Sequence, residues 1–334
     1  MKAVAVLGAG SFGTALAAHL ASAGHQVRLW ARDPALAADI ARRRANPVYL
    51  PDIALPSSIA VTAALDAALT GAELLVVAVP SHGLRHVLEQ ARPLIGAGMT
   101  VVSATKGLEE GTHLRMSQLI ADVLGPEVYV AAISGPSFAV EVARGLPTAV
   151  VVASADASTV SLVQAEFRGR YLRLYGSEDV VGVEIGGALK NVIAIAAGIV
   201  DGMGLGPNAQ AALITRGLVE ITRLACALGG RRETLSGLAG LGDLVLTCTG
   251  ALSRNRHVGV ELAQGRRLEE IVGSMKMIAE GVKTTEAALV LGREAGVELP
   301  IATQIADVFD GRKDARAALQ DLLLRPQRAE LDAG

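Results

Sequence analysis

Residues 3–13 constrain the fold more than any other stretch. A short aliphatic run, Ala3–Leu7, breaks directly into Gly8-Ala9-Gly10-Ser11-Phe12-Gly13, which opens an Ala/Leu-rich helical segment. The first glycine of such a turn permits the tight bend, the second lets a pyrophosphate approach the backbone, and the third lets helix pack closely on strand. The free N–H groups at the helix start then face the phosphates. With its strand before and its helix after, the pattern predicts a dinucleotide site rather than an ordinary strand-to-helix turn.

The chain continues in the same rhythm. Gln26–Trp30, Leu74–Val79, Thr100–Ala104 and Val128–Ile133 are short, aliphatic or β-branched, and bounded by turn residues. Between them Thr14–Ala23, Pro34–Arg44, Leu84–Ala91 and Leu114–Val123 carry a helical period. This alternation predicts a doubly wound, mainly parallel sheet with helices on both faces, a Rossmann-type α/β domain. Thr148–Ala153 and Tyr171–Tyr175 read as two further strands that finish the sheet. Past Val180 the strands give out. Ile185–Val200, Ala209–Leu228, Arg256–Gln264, Thr284–Ala295 and Ile301–Phe309 all read as helices, broken at Gly202–Pro207 and at Gly229-Gly230. The expected organisation is a dinucleotide-binding domain over residues 1–180 and an all-α substrate and catalytic domain over 181–334.

Composition narrows the function classes. A formal net charge of -2 excludes a nucleic-acid binder held by global charge. The opening apolar run is too short for a signal peptide, and Ile185–Val200 carries Lys190 and several glycines, so no membrane span is expected. Cys226 and Cys248 have neither metal-site spacing nor a disulfide framework, which favours a cytoplasmic location. His82 and His86 lie one helical turn apart but lack the glutamate of a metalloprotease helix, and no metal is expected. No Gly-x-Ser-x-Gly elbow or Cys/His pair offers a hydrolytic nucleophile.

Chemistry concentrates at a few positions. Lys190 is a lone positive charge in a nearly unbroken apolar stretch, Gly186–Ile195. Burying an unpaired ammonium is costly, so such a lysine either snorkels to water or has a partner and a shifted pKa suited to proton transfer. Lys106 follows the Thr100–Ala104 strand, and Ser134-Gly135-Pro136-Ser137 closes the next strand, where open α/β sheets bind ligands. Asp243 and Thr247 are four apart, on one face if helical. Ser253-Arg254-Asn255 offers a guanidinium with hydroxyl and amide neighbours, which suits a phosphate, although a capped helix start is the commoner use. Arg32, where NAD-specific folds carry an acid, leans the cofactor towards NADPH, with Asp33 next to it leaving NADH open.

Taken in order, GAGSFGTALA (8–17), NPVYLPD (46–52), ATKGLE (104–109), ISGPSFA (133–139), GGALKNVIAIAAGIVDG (186–202), ITRGL (214–218), GLAGLGDLVLTCT (237–249), SRNR (253–256) and Ala279-Glu280-Gly281 cover nearly the whole chain. This set resembles the bacterial NAD(P)-dependent sn-glycerol-3-phosphate dehydrogenases. Phe12 stands where some members carry another aromatic residue.

The resemblance implies reversible hydride transfer between NADPH or NADH and dihydroxyacetone phosphate, giving sn-glycerol 3-phosphate for glycerophospholipid synthesis. It assigns the proton donor to Lys190. It implies cofactor contacts at Gly8, Gly10, Ser11, Phe12, Gly13, Arg32, Lys106, Ala139, Arg254, Ile278 and Glu280. Substrate contacts are implied at Lys106, Gly135, Ser137, Lys190, Asp243, Ser253, Arg254 and Asn255, with Thr247 beside them. Lys106 is expected to lower the proton affinity of Lys190 and Asp243 to raise it. A homodimer is expected from the apolar helical half. The rival readings are a two-domain 3-hydroxyacid or sugar-acid dehydrogenase and a non-catalytic nicotinamide redox sensor.

Overall fold

Strands that lie between two helical layers must be apolar on both sides, and the central runs here are. Leu74, Leu75, Val76 and Val77 are all fully buried, as are Ala5, Val6 and Leu7. The computed structural model describes residues 1–275, 279–326 and 329.

The first half runs β1 (Ala3–Leu7), α1 (Ser11–Ser22), β2 (Gln26–Trp30), α2 (Pro34–Arg43), β3 (Ala60–Thr62), α3 (Leu65–Leu69), β4 (Leu74–Val77), α4 (Ser81–Ala91), β5 (Thr100–Ser103), α5 (Met116–Leu124), β6 (Tyr129–Ser134), α6 (Ala139–Ala143), β7 (Thr148–Ala153), α7 (Ala157–Glu166) and β8 (Leu172–Ser177). Among the described residues these strands form one sheet of order β3-β2-β1-β4-β5-β6-β7-β8. Neighbours are parallel except β6 and β7. The order reverses between β1 and β4, which opens a crevice beyond their carboxyl ends.

Several strand expectations hold to the residue: β1, β2 and β7. The Leu74–Val79 run stops pairing at Val77, and the last strand is Leu172–Ser177 rather than Tyr171–Tyr175. Four elements of this half escape the periodicity, β3, α3, α6 and α7. β3 has only three residues, and α7 is a polar Ser/Thr/Gln helix started by Asp156, whose carboxylate accepts the Ser158 and Thr159 N–H groups at 3.2 and 2.9 Å.

The second half is helical: α8 (Val180–Gly202), α9 (Gly206–Ala227), α10 (Arg232–Leu235), α11 (Asp243–Thr249), α12 (Arg254–Ala263), α13 (Leu268–Ser274), α14 (Glu280–Glu294), α15 (Pro300–Phe309) and α16 (Ala315–Leu323). A single π-helical turn, Leu238–Gly242, leads into α11. Helix α8 is buried from Gly182 to Val200, which is why its sequence is apolar on every face. It is long and apolar enough to cross a membrane, yet that whole stretch lies inside the protein as the core of the helical half. Helix α12 crosses it at a glycine contact. A Cβ on Gly198 would stand 1.9 Å from the Arg256 carbonyl oxygen, and one on Gly259 1.9 Å from that of Ile195. This close approach sets the start of α12 beside the middle of α8.

Glu184, near the start of α8, joins the two halves. Its buried carboxylate accepts from Arg115 Nη1 at 2.6 Å, Ser117 N at 2.7 Å and Ser117 Oγ at 2.6 Å, all at the start of α5. Burial raises its pKa despite those partners, the Arg115 charge being the largest opposing influence. The crevice is thereby walled by the sheet on one side and by α8, α11, α12 and α14 on the other.

Candidate active site

Three charged side chains meet at the bottom of this crevice. Lys106 comes from the loop after β5, Lys190 from the middle of α8, and Asp243 from the first position of α11. Lys106 Nζ donates to Asp243 Oδ2 at 2.6 Å and to the Gly135 carbonyl oxygen at 3.3 Å. Lys190 Nζ donates to Asp243 Oδ1. Ser134 Oγ donates to Asp243 Oδ2 at 3.4 Å, completing the carboxylate's surroundings. Asp243 is 1% and Lys190 6% exposed. One carboxylate therefore sits between two amines that are largely withdrawn from bulk water, and with both amines protonated the cluster carries one net positive charge.

The electrostatics follow from that arrangement. Burial lowers the pKa of Lys190 to about 7; Asp243 opposes the shift and Lys106 adds to it by like-charge repulsion. Burial works against ionisation of Asp243, but Lys106 and then Lys190 overcome it and hold its pKa below the usual value. Cys248, one turn past Leu244 on the same helix, is pushed up to about 12 by burial and is an inert core thiol.

The remaining candidates fall into two groups. Asn255 is tied inward: its amide donates to Asn191 Oδ1 and its own oxygen accepts the Gly281 N–H, both at 3.0 Å. Ser253 caps α12 by accepting the Arg256 N–H at 3.2 Å, and the Thr247 hydroxyl is spent on the Asp243 carbonyl oxygen at 2.6 Å. Ser137 Oγ donates to the Gly135 oxygen at 3.0 Å. Arg254, by contrast, is exposed over the residue as a whole, although packing around its charged group lowers its pKa against the pull of Glu280. Glu280 starts α14 against Ser81, and one of its carboxylate oxygens is buried without a hydrogen-bond partner among the described residues. Burial raises its pKa to about 7, against the pull of Arg254. Ile278 lies outside the described residues.

Sequence reading missed Asn191 and Ser81 as members of this site, and it placed Ser134 in the ligand-binding segment without a role of its own. Asn191 had a signal, a second polar residue inside the same apolar run as Lys190. Ser81 had none, because it reaches Glu280 only through the packing of the two halves.

The glycine turn fits a dinucleotide. Gly8 has φ +111°, and a Cβ there would stand 2.6 Å from the Ala78 carbonyl oxygen; one on Gly13 would stand 1.9 Å from that of Gly8. A Cβ on Gly10 would meet nothing within 4 Å, so the turn leaves open space where a pyrophosphate belongs. Helix α1 starts after Gly10 with no side-chain cap, so no side chain of its N-cap residue covers its N-terminal end, where an anion is favoured. Phe12 packs on the core of the sheet, and Ala139 opens α6 beside α1. Beyond β2, Asp33 spends Oδ1 on the Ala35 N–H at 2.9 Å as the cap of α2, while Arg32 is exposed. Among the described residues no three His, Cys, Asp or Glu side chains gather as metal ligands.

Comparison with known proteins agrees over the full length. Residues 3–160 match the family described as the NAD-dependent glycerol-3-phosphate dehydrogenase N-terminus, and residues 179–320 match its C-terminus. The chain is 51% identical to the NAD(P)+ glycerol-3-phosphate dehydrogenase of Koribacter versatilis, covering 99% of both chains. It is 52% identical to that of Acidobacterium capsulatum, covering 99% of this chain and all of the relative. The crystal structure of glycerol-3-phosphate dehydrogenase from Coxiella burnetii superposes with a TM-score of 0.93 at 41% identity, over 97% of this chain and 99% of the other.

Proposed function

Because the chain belongs to the NAD(P)-dependent glycerol-3-phosphate dehydrogenases, oxidoreductases that interconvert dihydroxyacetone phosphate and sn-glycerol 3-phosphate, we propose that Lys190 is its proton donor and acceptor. The observation that carries this assignment is the buried Lys190–Asp243–Lys106 cluster at the carboxyl ends of the strands. Bound NAD(P)H supplies the hydride. As the ketone oxygen gains electron density, the Lys190 ammonium stabilises that charge and gives up a proton to it; in the opposite direction neutral Lys190 takes the proton from the alcohol. Asp243 fixes the position of Lys190 and moderates its acidity. Residues 1–180 hold the cofactor in this reading, and 181–334 carry the proton chemistry and the substrate phosphate. The product feeds glycerophospholipid synthesis.

The substrate phosphate is assigned to Arg254, the exposed cation at the start of α12, where helix dipole and guanidinium act together. Asn255 contributes by locking α12 to α8 and α14. Replacing Arg254 with alanine should raise KM for dihydroxyacetone phosphate about tenfold or more, equivalent to about 1.4 kcal/mol, and leave turnover of phosphate-free dihydroxyacetone within about twofold. Steady-state rates with both ketones decide it. An equal loss with both would place the phosphate elsewhere.

For the cofactor we propose a preference for NADPH, supported by the exposed Arg32 guanidinium and by the engagement of Asp33 as a helix cap. Replacing Arg32 with alanine should weaken NADPH about tenfold, the worth of one lost charged hydrogen bond, with NADH changed less than about twofold. Parallel loss of both cofactors removes the 2′-phosphate contact. A cytoplasmic location is supported by two cysteines left free. A homodimer is supported by the exposed Leu241 and Val245, one turn apart on the helical half, and light scattering on the purified protein measures it.

A further inference from the structure

The segment Asn46–Asp52 takes no part in the chemistry so far, yet it contains a buried polar side chain with a partner for every donor and acceptor. Asn46 is 0% exposed. Its Nδ2 donates to the Ala9 carbonyl oxygen at 2.8 Å and to Thr14 Oγ1 at 2.9 Å. Its Oδ1 accepts the N–H groups of Val48 at 3.3 Å and Tyr49 at 3.1 Å. A carbonyl can only accept and a backbone N–H only donate, so the orientation of this amide is fixed by its partners. Two more bonds close the staple: Leu50 N donates to the Asn46 carbonyl oxygen at 3.0 Å, and Ser11 Oγ to the Tyr49 carbonyl oxygen at 2.8 Å.

The consequence lies in one peptide plane. In a trans peptide the C=O of Ala9 and the N–H of Gly10 point in opposite directions. Holding the Ala9 oxygen against Asn46 on the protein side turns the Gly10 N–H to the other side. Among the described residues that N–H has no carbonyl partner. The second amide proton of Asn46 rests on Thr14, whose own N–H closes the first bond of α1 onto Gly10 O at 2.9 Å. Asn46 therefore fixes both ends of the turn that must already be shaped before an anion arrives.

We propose that Asn46 is a positioning residue for the dinucleotide pyrophosphate, acting through the Ala9–Gly10 peptide and the first turn of α1. This rests on the reading that the glycine turn holds the pyrophosphate. Without the amide, the turn must be ordered at the moment of binding, and that cost falls on cofactor affinity alone. Substrate binding and proton transfer use residues on the other wall of the crevice.

The test uses the intact chain with NADPH. Binding is followed by fluorescence of Trp30, the single tryptophan, which ends β2. Asn46→Ala should raise the Kd for NADPH at least about tenfold, while kcat at saturating cofactor and KM for dihydroxyacetone phosphate stay within about threefold. If Asn46→Ala does not fold, Asn46→Ser is read in its place; serine offers an oxygen to Val48 and Tyr49 but is too short to reach Ala9. Gly10→Ala is the control, since a methyl there meets no protein atom within 4 Å and enters only the space assigned to the pyrophosphate. If Gly10→Ala leaves NADPH affinity unchanged, the pyrophosphate reading itself fails and the inference with it. If Gly10→Ala weakens NADPH and a folded Asn46 variant does not, the inference alone is overturned. Equal losses in kcat and in KM for the ketone overturn it as well, because a generally loosened fold gives that pattern.

Discussion

Replacing Lys190 with alanine is expected to lower kcat for dihydroxyacetone phosphate reduction by roughly a thousandfold or more, with NADPH affinity within about threefold of the parent protein. Positioned proton transfer contributes about 10²–10⁴-fold, and loss of an oxyanion-stabilising donor about 10²–10³-fold. Lys190 supplies both through one atom, so the two losses overlap rather than multiply. The fold should survive, because Asp243 retains Lys106 at 2.6 Å and is not left as an isolated buried charge. The pH dependence gives an independent check on the parent protein. Reduction needs the protonated amine, so its rate should fall as pH rises through the Lys190 pKa of about 7; oxidation needs the neutral amine and should rise through the same range. Steady-state rates from pH 5.5 to 9 in both directions measure this. An alanine variant that keeps a tenth of the parent kcat would remove Lys190 from the proton path.

The separate parts of this site were legible in the residues themselves, while their meeting was expected only through the family resemblance. Lys190 announces itself as a charge in an apolar run, and the turn at Gly8–Gly13 announces an anion site because the glycines have steric reasons to be there. By its own surroundings in the sequence Asp243 was one acid in a polar cluster. What brings it to Lys190 is the π turn at Leu238–Gly242 and the packing of α11 on α8, and neither leaves a periodic trace. Ser253 and Thr247 read as possible substrate donors, but both hydroxyls hold backbone in place. In the fold, the buried parallel strands were readable because burial on both faces makes them continuously apolar. The antiparallel direction of β7 was not, since its run Thr148–Ala153 has the same character as a parallel strand and only the short connection through α6 reverses it. Asn46 was hidden for a different reason. A buried amide in a loop has no periodicity to betray it, and its importance lies in three hydrogen bonds to irregular backbone and one to the Thr14 hydroxyl.

Replacing Asp243 with asparagine should move the pH dependence of reduction rather than simply abolish it. The amide keeps the shape of the carboxylate but cannot hold the negative charge that raises the proton affinity of Lys190. Burial and the repulsion from Lys106 then act unopposed, so the pKa of Lys190 falls further below about 7. The falling limb of the reduction profile should shift to lower pH by about one unit or more, a tenfold loss per unit on that limb. Activity should partly recover on acidification. Oxidation should lose its dependence across neutral pH, since Lys190 is already neutral there, and should run more slowly because a less basic amine is a weaker proton acceptor. The buried Lys190 ammonium, beside the half-buried Lys106, would cost about 3–5 kcal/mol without a counter-charge if both stayed protonated. Loss of a proton from Lys190 relieves most of that, so the variant should fold near neutral pH. Lys106→Ala makes the opposite change: it removes the repulsion, leaves Asp243 to Lys190 alone, and should carry the same limb to higher pH. Opposite shifts in the two variants establish that the working acidity of Lys190 is set by the balance of these neighbours; coincident limbs would mean that burial alone sets it.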